Sequence, residues 1–158
     1  MDNICTAIQS ILQTALGSSY TIIYGDDVPG MSQFPYISIE PQNTTFTPNG
    51  TGGSRENRSV ITVTLKVRLN DYMQDNTDVS EQAHLRALVK GMEERETNGL
   101  PKNATILGAL NQDLSLGGVV STIELGTIEY GTENAEGSYI RTATLTIEAL
   151  QQLPFCTS

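Results

Sequence analysis

Residues 58–70 constrain the fold of this chain more than any other segment. Ile61, Val63, Leu65, Val67 and Leu69 alternate with Thr62, Thr64, Lys66 and Arg68. Period two over so many positions predicts a β-strand with one face in an apolar core and the other in a polar environment. The run from Arg58 to Asn70 exceeds the usual strand of about five or six residues, so it can extend past the core of a small domain. An apolar strand face must be covered by a second layer, and the rest of the chain supplies one.

That layer is helical. Ile4, Ala7, Ile8, Ile11, Leu12, Ala15 and Leu16 recur with the 3.6-residue period of an amphipathic helix. Asp2 or Asn3 is expected to cap its start and Gly17 to end it. Its other face, Thr6, Gln9, Ser10, Gln13 and Thr14, is uncharged and suits contact with a protein neighbour. A second helix is predicted from Asp78 to Glu96. Asp78 and Glu81 have capping-box spacing, Leu85, Leu88, Val89 and Met92 form a narrow apolar stripe, and Asn98, Gly99 and Pro101 stop it.

Further strands are predicted at Tyr20–Tyr24, Tyr36–Glu40, Val119–Tyr130 and Tyr139–Ala149. Pro35 and Pro41 bracket the second of these and suggest an edge position. Gly131 to Ser138 reads as a polar hairpin loop between the last two. In the final strand Tyr139, Arg141, Ala143, Leu145 and Ile147 share one face. Gln42–Asn57, with Pro48, Gly50, Gly52 and Gly53, reads as a long polar loop. Ala104–Leu110 fits a helical turn or a strand equally well. The expected architecture is α+β, a mainly antiparallel sheet with two principal helices packed on one face. It forms a single domain over 1–158 with a flexible loop at 42–57.

Charge narrows the function classes. The chain carries a formal net charge of -9. Residues 1–70 hold five acids against four bases, and the remainder holds thirteen against five. A protein that grips a phosphate backbone needs clustered Lys and Arg, which this distribution lacks. No apolar run approaches the roughly 18 residues needed to cross a membrane as a helix. Asp2, Gln9 and Gln13 are unlike a secretory leader. Cys5 and Cys156 stand at opposite ends with no metal-binding spacing. Isolated thiols are expected, although the two could pair if the ends meet. Four glycosylation-type sequons, at Asn43, Asn49, Asn57 and Asn103, fit an Asn- and Thr-rich composition without a secretory signal.

Candidates for chemistry are few. Tyr24-Gly25-Asp26-Asp27 resembles the metal-binding hairpin of viral polymerases. Two-metal chemistry needs another carboxylate from a separate upstream strand, and the only acid upstream is Asp2. Gly-Asp-Asp is also ordinary turn chemistry. His84, the only histidine, has no Gly-x-Ser-x-Gly elbow or catalytic cysteine to serve. Gly50-Thr51-Gly52-Gly53-Ser54 is not followed by the Lys and helix of a phosphate loop. Glu93-Glu94-Arg95-Glu96 is a charge run at a helix end, which opposes the helix dipole. The expectation is a binding or assembly protein rather than an enzyme, with no cofactor and no metal.

The chain resembles the tail terminator, or tail completion, proteins of long-tailed bacteriophages. The resemblance rests on the helix Ile4–Leu16 and on the strand and loop leading to Phe34-Pro35-Tyr36-Ile37-Ser38-Ile39. It continues through the long strand Val60–Val67, the helix around Leu85–Val89 and the closing strand Tyr139–Ile147. It implies a subunit of a homohexameric ring that caps the finished tail tube, stops its polymerisation and presents a surface for head joining. The implied partners are further copies of itself, the tail tube protein and a head connector or neck protein, with the sheath protein as an additional candidate. DNA would pass the lumen without specific binding. The implied location is the virion tail or neck, assembled in the host cytoplasm. Alternatives are another neck or stopper subunit, or a monomeric surface binding module. Candidate subunit or tube contacts are Phe46, Arg55, Arg58, Lys66, Arg68, Glu93 and Glu94, with Arg55 and Arg58 placed to pair with acids of an adjacent subunit.

Overall fold

A computed structural model of the chain describes residues 1–17, 20–24, 35–48, 54–68, 77–135 and 138–154. The elements are α1 (Asp2–Leu16), β1 (Thr21–Ile23), β2 (Tyr36–Pro48), β3 (Ser54–Arg68), α2 (Thr77–Glu93), α3 (Ile106–Asn111), β4 (Thr122–Ala135) and β5 (Ser138–Pro154). The five strands form one sheet in the order β1-β2-β3-β5-β4. The short β1 runs parallel to β2, and every other neighbour is antiparallel. The α+β class expected from sequence is the observed one.

The alternation in β3 translates directly into burial. Ile61, Val63 and Leu65 are fully buried and Val67 nearly so, while Thr62, Thr64 and Lys66 are only partly covered. The same face continues through Ile37 and Ile39 of β2 and Ala143, Leu145, Ile147 and Ala149 of β5. Ile4, Ile8 and Leu12 of α1 and Leu88 and Met92 of α2 cover it, and Ile106 and Leu110 of α3, which packs against α1 and α2, complete the same core. The helices therefore share one side of the sheet. The other side presents Thr62, Thr64, Thr144, Thr146 and Glu148. Thr64 and Thr144 are joined there by a hydroxyl–hydroxyl hydrogen bond of 3.2 Å.

Several boundaries differ from the sequence expectation. The loop expected at 42–57 is mostly strand. β2 continues to Pro48 and β3 begins at Ser54, with the register held from Asn43↔Val60 to Pro48↔Arg55. Pro41 does not end β2. A bulge between Pro41 and Asn43 absorbs it, which is tolerable because this part of β2 is an edge. The hairpin loop expected at 131–138 is likewise strand up to Ala135↔Ser138. Polar composition misled in both cases: a strand without a core against it needs no apolar alternation.

α1 ends as expected at Gly17, whose φ of 65° and N–H bond to the Gln13 carbonyl close the last turn. Its start differs, since the cap is Met1 with no side-chain bond. The Asp2 carboxylate instead accepts the Tyr24 hydroxyl at 2.6 Å, tying the helix to the end of β1. α2 ends at Glu93 rather than Glu96. Glu94–Lys102 forms a tight turn closed by an Arg95↔Pro101 bridge, with Glu96 N–H donating to the Leu100 carbonyl at 2.8 Å. Val89, expected in the apolar stripe, is 44% exposed. The side chains of the expected capping box, Asp78 and Glu81, lie outside the described residues.

The ambiguous 104–110 segment resolves as α3. Buried Thr105 caps it, its Oγ1 accepting from Gly108 N–H at 2.9 Å and donating to the Lys102 carbonyl at 2.7 Å. Beyond α3, Asp113 organises the return to β4. It accepts from Ser115 Oγ at 2.8 Å and Gly117 N–H at 2.8 Å. These bonds, the Ser115 hydroxyl foremost, hold its carboxyl below the usual range.

Two predictions follow from this packing. A Cβ at Gly108 would sit 1.8 Å from the Lys102 carbonyl oxygen, which is backbone and cannot rotate away. Gly108→Ala should therefore displace α3 and cost about 3 kcal/mol, read as a lowered urea midpoint; an unchanged midpoint would contradict this packing. The bond to Asp2, followed by burial, pushes the Tyr24 phenol up to about 12. A raised folded-state value means that the contribution is complete below the unfolded value of about 10 and is lost as pH rises through about 12. Ultraviolet titration should find one phenol titrating near 12 and returning toward 10 in Asp2→Ala.

Candidate assembly surface

The sheet is longer than its helical cover. Ser59 is 2% exposed and Ala149 is fully buried; beyond them the same face carries Phe46, Asn57 and Gln151, aligned across β2, β3 and β5. Phe46 is 49% exposed. Three strands thus project past the core, held by ladder hydrogen bonds and by polar contacts at the base. Gln151 Nε2 donates to the Val119 carbonyl at 3.0 Å, and Gln152 N–H donates to Ser121 Oγ at 3.1 Å.

On the opposite face of this projection Arg58 pairs with Glu148 of β5 and, at 3.4 Å, with Glu56. The bond to Glu148 raises its guanidinium pKa further. Arg58 is therefore engaged within its own chain. Arg55 is in β3 opposite Pro48 and Leu153; its side chain lies outside the described residues.

Lys66 and Arg68 belong to the other end of β3. Eight residues separate Arg58 from Lys66, about 26 Å along an extended strand, so the candidate bases do not converge. Lys66 reaches across β5 to Glu133 of β4 at 2.9 Å and lies 5.7 Å from the Tyr36 ring. Arg68 pairs in register with Ile140. Glu93 and Glu94 form a third group, at the end of α2. Glu93 accepts the Tyr130 hydroxyl and sits 3.4 Å from Arg95, while Glu94 pairs with Lys102 at 3.2 Å. Glu93 and Glu94 of the charge run thus fasten α2 to β4 and to the following turn.

The uncharged face of α1 has a specific setting. With α3 it lines an open, largely apolar groove of about 480 Å³, bordered by Ser10, Ile11, Thr14, Ala15, Ala109 and Gln112. Sequence periodicity marked α1's contribution, but α3's depended on an element the pattern left open. Asp26, Asp27, Gly50–Gly53, Leu69 and Cys156, together with the His84 side chain, lie outside the described residues. Cys5 is buried in the core, and that burial raises its thiol pKa. Among the described residues no three His, Cys, Asp or Glu side chains are grouped as a metal would require, and no described helix is long and apolar enough to cross a membrane.

No protein-family model matches the chain, and no curated protein sequence matches it. Among solved structures the chain is similar to one in the virion of a native gene transfer agent particle. The identity is 11% over 95% of each chain, and the TM-score is 0.41.

Phe46 and Leu65 separate surface from core. Phe46→Ala should leave monomer stability within about 0.5 kcal/mol, whereas Leu65→Ala should cost about 2–5 kcal/mol. Chemical denaturation of the two variants checks this. A large loss at Phe46 would place it in the monomer core instead.

Proposed function

We propose that this protein is a ring-forming structural subunit of a phage-type tail, of the tail terminator kind. The observation that supports the reading best is the projection of β2, β3 and β5 beyond the helices. An isolated monomer gains little from ordering a strand end that buries no core, yet here an exposed aromatic stands on it. A half-exposed Phe on a polar, well-paired platform suits burial against a neighbour. The element order along the chain also follows the one on which the sequence resemblance rests. A head-to-tail contact repeated by rotation closes into a ring, homohexameric by that resemblance.

In this reading the protein binds the end of the tail tube, halts its growth and offers its free surface to a head connector or neck protein. It does so as a structural component of the virion rather than as an enzyme. The helix-free side of the sheet suits a lumen through which DNA passes without binding. It carries Glu40, Glu124 and Glu129, which form no ion pair among the described residues. Acidic walls repel phosphate.

The test is arrest of tube growth. Added to polymerising tail tube protein, the chain should shorten the tubes in proportion to its concentration and remain at their tips in negative-stain images. Tubes of unchanged length and bare tips would overturn the terminator role. Binding only to tubes already capped by another protein would favour the neck or stopper alternative.

A further inference from the structure

The order β1-β2-β3-β5-β4 leaves two long open edges among the described residues. β4 pairs with β5 from Thr122 to Ala135 and has no described strand on its other side. β1 covers only Tyr36–Ser38 of β2, so Ile39–Pro48 has β3 on one side and no described strand on the other. Residues 40–47 of β2 and 129–133 of β4 are exposed.

Proteins that stay monomeric blunt such edges with Lys, Pro, bulges or short strands. Neither edge carries Lys or Arg. β4 has no proline, and beyond its bulge between Leu125 and Ile128 it runs regularly from Ile128 to Ala135. β2 uses its bulge and prolines at Pro41 and Pro48 only, leaving Asn43-Thr44-Thr45-Phe46-Thr47 uninterrupted. Each open stretch also bears an exposed aromatic, Phe46 at 49% and Tyr130 at 47%.

Charge chooses the partner. The Ile128–Ala135 edge carries Glu129 and Glu133, the latter held by Lys66, so two β4 edges would bring like-signed carboxylates across a strand spacing, which is destabilising. The Asn43–Thr47 stretch is neutral and rich in hydroxyl and amide donors that suit carboxylates. Direction agrees as well. Three successive antiparallel pairings make β2 and β4 run oppositely within one chain. A second copy that continues the sheet therefore brings its β2 antiparallel to β4 without inversion. Within one chain Thr45 is level with Thr122 and Ile39 with Ile128, so the pairing displaces successive copies by about eight residues along the strands, which strands inclined to the ring axis provide. The geometry points to β-strand addition between copies: the Asn43–Thr47 edge of one subunit pairs with the Ile128–Ala135 edge of the next, continuing one sheet around the assembly. This rests on the ring reading above and names its subunit interface.

Hydrogen exchange on the full chain, assembled and as dilute monomer, tests it. In the assembled state the amides of both stretches that point out of the sheet should exchange at least about tenfold more slowly than in the monomer. Thr44→Pro and Thr45→Pro form a paired control. Successive amides point to opposite sides of a strand, so one variant removes a bond to β3 and the other a donor on the open edge. The edge variant should keep the monomer fold by circular dichroism and lose assembly. Rings whose edge amides stay unprotected, or rings formed by both proline variants, would overturn the pairing and leave the ring reading intact. A two-fold dimer protected at β2 alone would also overturn it. A chain that forms no ring, alone or on tail tubes, would overturn the ring reading itself and the pairing with it.

Discussion

The structure depends on β3. It is paired along almost its full length on both sides, with β2 from Arg55 to Lys66 and with β5 from Ser54 to Arg68. Its inner face supplies Ile61, Val63, Leu65 and Val67, all buried. Every helix owes its place to that face or to a helix already seated on it. α2 packs on β3 and β5, α1 on β1 and β2, and α3 against both helices. Burial of this apolar strip is the main source of stability, and the strip stops near Ser59. The strands do not stop there. That mismatch between the length of the sheet and the length of its core is the central fact about the molecule.

Polar interactions fix what the core leaves loose. The ends of the helices are fastened by single contacts: Tyr24 to Asp2 at the start of α1, Tyr130 to Glu93 at the end of α2, and Thr105 to Gly108 at the start of α3. Two ion pairs brace the helix-free side, Arg58–Glu148 between the neighbouring β3 and β5 and Lys66–Glu133 from β3 across β5 to β4. All four partners are partly exposed, so the pairs add modestly to stability. They also engage two of the four β3 bases, Arg58 and Lys66, that were expected to contact other subunits.

The sequence was most legible where a core imposed a period. The helix at Ile4–Leu16 and the alternation Ile61–Val67 appear as expected, because each position there is either buried or not. It was least legible where no core imposes anything. Thr44, Thr45 and Thr47 in β2, and Thr132, Glu133 and Asn134 in β4, are polar on both faces. They read as loop although they are strand, since their ladder hydrogen bonds leave no hydropathic trace. α3 was ambiguous because six residues are too few to show a helical period. Phe46, Arg55, Arg58, Lys66, Arg68, Glu93 and Glu94 were expected as contacts from residue type. The structure divides them among β2 (Phe46), two ends of β3 and the end of α2, a separation that strand register reveals.

An assembly subunit should be recognisable by mass before any partner is known. Light scattering of the purified chain, with negative-stain images of the same peak, measures this directly. The account predicts a species of about 100 kDa, six copies of the 17.1 kDa chain, with a central hole. A 17.1 kDa monomer that stays monomeric at high concentration and in the presence of tail tubes would contradict it.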